Sequence, residues 1–407
     1  MRNTVLVIGS GYQEFRQYVL EGLAHHCDVL LLNRGEVDWQ RPFVTDHRVA
    51  DLDDPEAVGA AVRDLVRGRT VTGVLTWEEK LVVLAATVGA ELGVPTMPVE
   101  AARACRDKAV QRTVFAAQNV PSARFRLVST AEDALRAASE LGYPVVAKPR
   151  AQAASIGVQV VRSEADLHAA VMLAQDSEFS SVVDRQVLIE EFLVGEEISV
   201  DSWVLDGEVH PYVTALKRTG YPPFFEEVGH VAGPVLDPAT QRAVRDVVER
   251  ANLALGVDRS VTHTELMLTA DGPKVIEVNG RLGGELIPYL AELSAPGLSA
   301  GEIAASVACG TAPRSVQPTD QLVGIQFLYP PRDLVLEGIS VAGELADSAW
   351  LRTVRQVREP GAQLRLPPRE FLGRAGFGIV TGEDVPTVDR RLAQVAAQVT
   401  VSGRPLR

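Results

Sequence analysis

The sequence predicts an α/β protein built from several domains, and three observations support this. The first hundred residues alternate apolar runs typical of buried strands with helical stretches, such as TVLVIGS followed by a helical segment from Tyr12 to His25. The same alternation returns over residues 101–315 and again over residues 316–407. The chain has 407 residues, 46% of them apolar, which is enough for several domains with substantial cores.

The charge balance argues against certain classes of binding partner. The chain has 40 basic and 53 acidic residues, a formal net charge of −13, and no basic block. Such a chain is a poor candidate for binding nucleic acid or an anionic membrane. The start, MRNTVLVIGSGY, predicts a strand and a turn instead of a secretion signal. The longest apolar stretch, near residues 81–94, is too short to span a bilayer.

The cysteines indicate a reducing compartment. Cys27, Cys105 and Cys309 are far apart in the sequence and have no paired spacing. This argues against a disulfide scaffold and against a zinc site. Together with the charge balance, it predicts a cytoplasmic protein.

Residues 1–100 are expected to form a parallel sheet with helices on both faces. TVLVIGS, CDVLLLN and VTGVLTW are the candidate strands, and DDPEAVGAAVRDLVRG is a candidate helix between the second and third. Gly9 and Gly11 follow the first strand in a Gly-x-Gly pattern, but no third glycine follows. The pattern favours a glycine-assisted turn into a helix over a dinucleotide site.

The rest of the chain has a compact α/β section and a C-terminal α/β segment. GVPTMP (93–98) marks the first boundary, and one helix is expected over residues 101–120. The segment 216–234, rich in proline and glycine, is predicted to be a long loop, and long ordered loops are often functional. EISVDSWVLDGEV is predicted to be a hairpin that turns at Asp206 and Gly207. The other predicted elements are the strands ARFRLV, PVVAKP, QVLIEEFL, HTELMLT, KVIEVNG, QLVGIQFLYP and FGIVTG and the helices Glu164–Ala174, Pro238–Leu255, Ala300–Cys309 and Val385–Ala397.

Charged and amide groups on one face of a strand are the first chemical signal. In KVIEVNGRLGG, Glu277, Asn279 and Arg281 occupy every second position, so an extended chain places them on one face. Glu265 lies on the preceding strand, at a similar distance from the Asp-Gly turn at 271–272. Two carboxylates and an amide oxygen would form a hard-oxygen site suited to Mg²⁺. A surface hairpin with solvated side chains explains these residues, taken alone, equally well.

Two further segments suggest nucleotide contacts. Lys148 ends the strand PVVAKP and precedes a loop of small residues up to Gly157, which is typical of a phosphate cradle or of a plain hairpin. In VLIEEFLVGEEISV, the backbone from Glu190 to Leu193 can meet an adenine edge, and Glu197 can accept hydrogen bonds from ribose hydroxyls. Acidic residues after a strand are usually solvated, so the last segment is a weak signal by itself.

The order of these segments resembles the ATP-grasp superfamily over about residues 100–310. A lysine in a helix (Lys108), a lysine at a strand end, a small-residue loop and an acidic hinge precede the carboxylate hairpin. The resemblance implies an ATP-grasp fold, with an N-terminal Rossmann-like (pre-ATP-grasp) domain at 1–100 and a C-terminal α/β domain at 316–407. Between them it implies a small lid subdomain at 101–186 and a large subdomain at 187–315 that carries the Mg/ATP and substrate site.

The resemblance also implies a role for each matching residue, with ATP and Mg²⁺ as cofactors and Mn²⁺ as a substitute. Lys108 and Lys148 would contact the phosphates, and Ser155 and the backbone near Gly157 would cover them. Glu190, Glu191 and Leu193 would line the adenine hinge, and Glu197 would hold the ribose. Glu265, Glu277 and Asn279 would bind one or two Mg²⁺, and Arg281 would steady the phosphoryl group or acyl phosphate. The lid loop RAQAASIG has one glycine where most relatives have more, so we expect a stiffer loop.

Within the superfamily the chain is most similar to L-amino acid ligases and related carboxylate–amine ligases. The residues that carry this likeness are FEEVGHVAG, HTELML and IEVNGRLGGELIP. The likeness implicates Glu227 and His230 in the substrate pocket, where a carboxylate and an imidazole suit an ammonium group and its proton transfer. A loop-stabilising role for His230 stays open. Lys217, Arg218 and Tyr221 are weaker candidates for contacting a substrate carboxylate, and His263 is expected to be structural or to support a neighbouring site residue.

The expected activity is ATP-dependent ligation of a carboxylate, often of an amino acid, to an amine. It would proceed through an acyl phosphate and release ADP and phosphate. Two alternatives stay open: a bicarbonate-using carboxylase or purine-pathway enzyme of the same superfamily, and a regulatory protein that binds ATP without turnover. The expected partners are small molecules, and a homodimer is left open because relatives are often dimers.

Overall fold

The computed structural model describes residues 2–177, 185–316 and 319–406. The N-terminal part is a parallel sheet, as the sequence predicts, and it has four strands in the order β3-β2-β1-β4, of which β3 is not among the three predicted. Val5 to Ile8 are fully buried, as expected for a parallel strand covered by helices on both faces. The elements are β1 (Thr4–Ile8), α1 (Gln13–His26), β2 (Asp28–Asn33), β3 (Asp46–Val49), α2 (Pro55–Leu65), β4 (Gly73–Leu75) and α3 (Val82–Glu91), with 3-10 turns at Arg41–Phe43 and Glu79–Leu81.

Two helices lead into a small antiparallel sheet of order β5-β8-β6-β7. The single helix predicted over 101–120 is two helices, α4 (Val99–Arg106) and α5 (Lys108–Ala117). They separate at Asp107, whose backbone is extended and whose side chain accepts from the N–H groups of Ala109 and Val110, so it caps α5. The sheet and its helices comprise β5 (Phe125–Val128), α6 (Ala131–Leu141), β6 (Val145–Pro149), β7 (Gln159–Val161), α7 (Glu164–Asp176) and β8 (Val187–Glu191).

An eight-stranded antiparallel sheet, of order β13-β12-β9-β10-β11-β14-β18-β16, forms the centre of the molecule. Its first part contains β9 (Glu196–Leu205), β10 (Glu208–Gly220), β11 (Glu226–Ala232), α8 (Pro238–Ala254), β12 (Arg259–Thr269), β13 (Gly272–Asn279), α9 (Ile287–Ser294) and α10 (Ala300–Ala308). The hairpins predicted at Asp206–Gly207 and Asp271–Gly272 are both present.

The C-terminal residues extend this central sheet and add a small one. β14, β16 and β18 join it directly, while β15, β17 and β19 form a three-stranded sheet of order β17-β15-β19. The elements are β14 (Leu322–Leu328), β15 (Leu334–Val341), α11 (Gly343–Ala346), β16 (Leu351–Gln356), β17 (Gln363–Leu364), β18 (Gly376–Gly382), α12 (Val385–Gln398) and β19 (Val399–Pro405). Within the three described ranges, no helix is both long enough and apolar enough to cross a bilayer.

The prediction of a long loop at 216–234 is wrong. These residues include the end of β10 and all of β11, which pair with each other, and the irregular parts are the short connection containing Pro222 and Pro223 and the last two residues, Gly233 and Pro234. The polar residues of this segment suggested a loop because no partner was visible in the sequence. In the folded chain, the ammonium of Lys217 meets carboxylates from three strands inside the sheet.

Helices α1 and α10 cross at a pair of glycines. A Cβ atom at Gly301 would collide with the backbone nitrogen of Leu23 and the backbone oxygen of Val19. The crossing also brings Cys27 Sγ to 3.8 Å from Cys309 Sγ, although both cysteines are free. These two cysteines are therefore close in space although they are far apart in the sequence.

We predict that Gly301→Ala lowers the free energy of unfolding by about 1–3 kcal/mol, because the helices must separate to admit a methyl group. Gly343→Ala is the matched control, since nothing lies within 4 Å of its added Cβ, and it should change stability by less than about 0.5 kcal/mol. Denaturant unfolding measures both. Equal effects of the two substitutions would contradict the tight crossing.

Candidate active site

A cavity of about 850 Å³ lies between the small sheet and the central sheet. Its walls come from α5, from β6 and the loop that follows, from the segment after β8, and from β12 and β13. Ten of the predicted site residues line this cavity: Lys108, Lys148, Ser155, Glu190, Glu191, Leu193, Glu197, Glu227, Glu265 and Glu277. The other four, Gly157, His230, Asn279 and Arg281, do not line it.

Lys148 is held in the cavity wall by a buried carboxylate. Its Nζ lies 2.7 Å from Glu190 Oε2, and Arg112 Nε lies 2.9 Å from Glu190 Oε1. Burial lowers the pKa of Lys148 to about 8. Burial alone would raise the pKa of Glu190, but Arg112 and Lys148 lower it. The side chain of Glu190 therefore orients Lys148. The sequence assigned Glu190 only to the adenine hinge and did not predict this contact.

Lys108 meets the second candidate metal ligand. Its Nζ lies 2.8 Å from Glu277 Oε1 and donates to the carbonyl of Gln152 at 2.5 Å. The position of Lys108 follows from the start of α5 at the Asp107 cap. Gln111, one turn further on, ties α5 to β13 by hydrogen bonds to both backbone groups of Val278.

Glu265 and Glu277 lie directly opposite each other on β12 and β13, as predicted. The amide of Asn279 satisfies its neighbours when its nitrogen donates to Glu277 and to Glu79 at 3.2 Å each. The described ranges contain no group of three or more His, Cys, Asp or Glu side chains placed to hold a metal. Two carboxylates suit a hard divalent cation that takes its remaining ligands from phosphate oxygens and water.

Glu265 is oriented by a chain of buried groups that begins at Asp201. His263 Nδ1 lies 2.5 Å from Asp201 Oδ1, and His263 Nε2 lies 3.4 Å from Glu265 Oε1. Burial would lower the pKa of His263, but Asp201 and Glu265 raise it to about 9. Asp201 also accepts from the backbone N–H of Gly283 at 2.9 Å. One fully buried carboxylate therefore connects Glu265 with the loop that follows Arg281.

Lys217 gathers three carboxylates. Its Nζ lies 2.9 Å from Glu197, 3.0 Å from Glu227 and 3.1 Å from Glu265. Burial would lower the pKa of Lys217, but the carboxylates raise it well above its usual value. Its buried position corrects the suggestion that Lys217 is a contact for a substrate carboxylate. Fully buried His230 places Nε2 3.2 Å from Glu227 Oε2, outside hydrogen-bond geometry.

Arg281 lies on the wall of a second cavity, of about 590 Å³, which β4 and α3 help to line. Its Nε lies 2.5 Å from Glu79, which also accepts from Arg106 at 2.6 Å. Burial would raise the pKa of Glu79, but Arg281 and Arg106 lower it. Glu79 was not identified from the sequence, although an acidic residue just after a parallel strand is a usable signal. Two residues of the following turn, Glu285 and Leu286, have left-handed φ angles of 54° and 63°.

Comparison with known proteins identifies the fold. The sequence profile of the ATP-grasp domain matches residues 141–288, which carry β6, β8, β12 and β13. The chain therefore contains an ATP-grasp-like domain over these residues. The resemblance and the fold class predicted from the sequence are therefore confirmed.

Individual relatives agree with this identification. The chain superimposes on L-amino acid ligase from Bacillus licheniformis with a TM-score of 0.83 and 23% identity, covering 99% of this chain and 100% of that one. Biotin carboxylase from Campylobacter jejuni has a TM-score of 0.70 and 17% identity, with 100% and 93% coverage. Alanine–anticapsin ligase from Bacillus subtilis is 28% identical over 276 residues, 62% of this chain and 58% of that protein. The chain thus spans less than two thirds of this curated relative.

The loop after β6, which the resemblance predicts to be a lid, is shaped by more than its glycine. Ala154 and Ser155 adopt left-handed φ angles of 56° and 54°, and Gly157 has a φ of 76°. A Cβ atom at Gly157 would lie 2.6 Å from the Cβ of Ser177 and 2.9 Å from Pro149. Gly157 is therefore required for close packing under the loop, while Ser155 faces the cavity. Strain of this kind in non-glycine residues is common at functional sites.

The burial of Arg112 beside Glu190 leads to a prediction about stability. Arg112→Met should lower the free energy of unfolding by about 3 kcal/mol, because Glu190 keeps its charge but loses a buried partner. Arg126→Met is the matched control, since Arg126 pairs with Glu140 on the surface, and should cost less than about 1 kcal/mol. Denaturant unfolding at pH 7 compares them, and a loss at Arg112 no larger than at Arg126 would contradict the assignment.

Proposed function

We propose that the protein is an ATP-dependent carboxylate–amine ligase that forms an amide bond, with an amino acid as one substrate. The observation that carries the proposal is the register of β12 and β13, which sets Glu265 opposite Glu277 on the wall of the cavity. Two buried lysines line the same cavity. Paired carboxylates beside paired lysines suit a metal-bound nucleoside triphosphate.

In this proposal the cavity binds ATP. The backbone at Glu190 to Leu193 would take the adenine edge, Glu197 the ribose, and Lys108 and Lys148 the phosphates. Glu265, Glu277 and Asn279 would hold Mg²⁺, or Mn²⁺ in its place, which would supply charge neutralisation for the phosphate oxygens. Ser155 and the loop around it would cover the phosphates and exclude water from the acyl phosphate.

The reaction is assigned to two displacement steps. A carboxylate oxygen of the acid substrate attacks the γ-phosphorus of ATP, and ADP leaves. The amine then attacks the acyl carbon of the resulting acyl phosphate, and phosphate leaves with the amide formed. Arg281 would offset charge on the transferring group, and the Glu227–His230 pair would hold the ammonium and accept its proton. Positioning and charge neutralisation account for most catalysis of this type.

A bicarbonate-using enzyme is the second candidate, since biotin carboxylase from Campylobacter jejuni has a related fold. That likeness is weaker than the likeness to L-amino acid ligase, whose TM-score is 0.83. ATP turnover that needs bicarbonate and no amino acid would favour this candidate. We place either activity in the cytoplasm, where ATP and amino acids are available.

We predict that release of ADP and phosphate depends on an amino acid, and that hydroxylamine traps the acyl phosphate as an acyl hydroxamate. A coupled ADP assay over pairs of amino acids and other acids measures the first, and the ferric hydroxamate colour measures the second. Glu277→Gln should abolish both, because it removes a charged metal ligand. Glu249→Gln, at an exposed position on α8, is the control and should leave both unchanged.

Three results would contradict this function. The first is production of AMP in place of ADP. The second is a rate for Glu277→Gln close to that of the unchanged protein. The third is ATP binding without hydrolysis across the whole panel, which would favour a regulatory ATP-binding protein.

A further inference from the structure

Arg16 lies on α1, at the edge of the loop that carries Arg281. Its Nη1 donates a hydrogen bond to the carbonyl of Gly283 at 3.0 Å. The side chain is half-buried, and its stem packs against the turn that follows β1, where a Cβ at Gly11 would lie 3.0 Å from Arg16 Cγ. An N-terminal residue therefore reaches the loop assigned to the chemistry.

The charge on Arg16 is compensated differently from that of the other arginines of this region. Arg112, Arg281 and Arg374 each contact a carboxylate, respectively the buried Glu190 and the half-buried Glu79 and Glu285. Over the described part of the chain, Arg16 has no carboxylate within 4.0 Å, and the Gly283 carbonyl is its one hydrogen-bond acceptor.

The free donors of Arg16 face solvent-accessible space. A guanidinium has five N–H donors. None of the Arg16 nitrogens is among the buried polar atoms that lack a partner. Burial lowers the pKa of Arg16, and the nearby Arg281 lowers it further, while Asp201 and Glu285 act in the opposite direction from beyond ion-pair distance. A ligand anion could therefore reach the unused donors.

We propose that Arg16 binds the carboxylate of the amine substrate, so that the amine is itself an amino acid and the product is a dipeptide. This proposal rests on the ligase function proposed above. Gly283 is two residues from Arg281, so the two guanidiniums are anchored to one short loop. In an α-amino acid the nitrogen lies only about 3 Å from the carboxylate oxygens. An amine that attacks an acyl phosphate beside Arg281 would thus place its carboxylate within reach of Arg16.

The chemistry of the Arg16 guanidinium favours a carboxylate as its ligand over a phosphate of ATP. The planar guanidinium matches a carboxylate with two parallel hydrogen bonds, an arrangement that fixes orientation as well as charge. Arg16 does not line the cavity assigned to the nucleotide, whose cations are Lys108, Lys148 and Arg112. The second substrate is therefore the partner that Arg16 is placed to recognise.

The test compares an amino acid with its carboxamide as the amine substrate, L-alanine with L-alaninamide for example. Arg16→Gln should lower kcat/KM for the amino acid by about 10- to 100-fold, the range for a hydrogen bond to a charged group. It should leave kcat/KM for the carboxamide within about threefold, because an uncharged amide gains little from the guanidinium. Arg16→Lys should recover part of the preference, since charge is kept and the two-pronged geometry is lost.

Two further readings separate binding from structure. Hydroxamate formation reports the acyl phosphate without any amine substrate, and it should be unchanged in Arg16→Gln. Arg63→Gln, at an exposed position on α2, is the matched control and should change none of the three rates.

Each outcome either supports or overturns the assignment of Arg16 to the substrate carboxylate. Equal losses for the amino acid, the carboxamide and the hydroxamate would show that Arg16 supports the loop at Gly283, and would overturn its assignment alone. An unchanged preference for the amino acid would overturn it as well. Absence of hydroxamate from the unchanged protein with every acid would overturn the ligase function, and this assignment with it.

Discussion

The antiparallel pairing of β12 with β13 is the constraint on which the site depends. A shift of one residue would turn every side chain of β13 to the opposite face. The observed register sets Glu265 against Glu277 and leaves Asn279 at the end of β13, with Arg281 in the loop that follows. The hairpin is fixed on both sides, because Gln111 of α5 bonds to the backbone of Val278 and Asp201 of β9 holds His263.

Placing carboxylates inside a sheet would be costly if they were not compensated, since a buried charge without a partner is strongly unfavourable. The fold meets this requirement by pairing. Glu277 has Lys108, Glu190 has Lys148 and Arg112, and Lys217 serves the three carboxylates around it. Each compensating cation comes from a different element from its carboxylate, so the small sheet, the helix α5 and the central sheet are held together by the charges of the site itself.

Much of this organisation could be predicted from local sequence patterns. The N-terminal parallel sheet, the Asp-Gly hairpins and the facing carboxylates follow from short-range periodicity and turn residues. The hairpin at 216–234, the role of Arg112, the contact of Glu79 with Arg281 and the burial of Lys217 could not be predicted in this way. Their positions depend on contacts between distant segments, such as Arg281 with Glu79 and Lys217 with Glu197. A lysine in a segment rich in proline and glycine, such as Lys217, is expected to be exposed to solvent. Only the folded structure shows its three carboxylate partners.

The central claim is that a carboxylate oxygen of the acid substrate is transferred to phosphate. An acid labelled with ¹⁸O in both carboxylate oxygens tests this most directly, with the released phosphate analysed by mass spectrometry. The account predicts one ¹⁸O atom in the phosphate for each amide formed, with the other retained in the amide carbonyl. Unlabelled phosphate, or label recovered in AMP, would contradict an acyl phosphate route and with it the roles assigned to the lysines and the paired carboxylates.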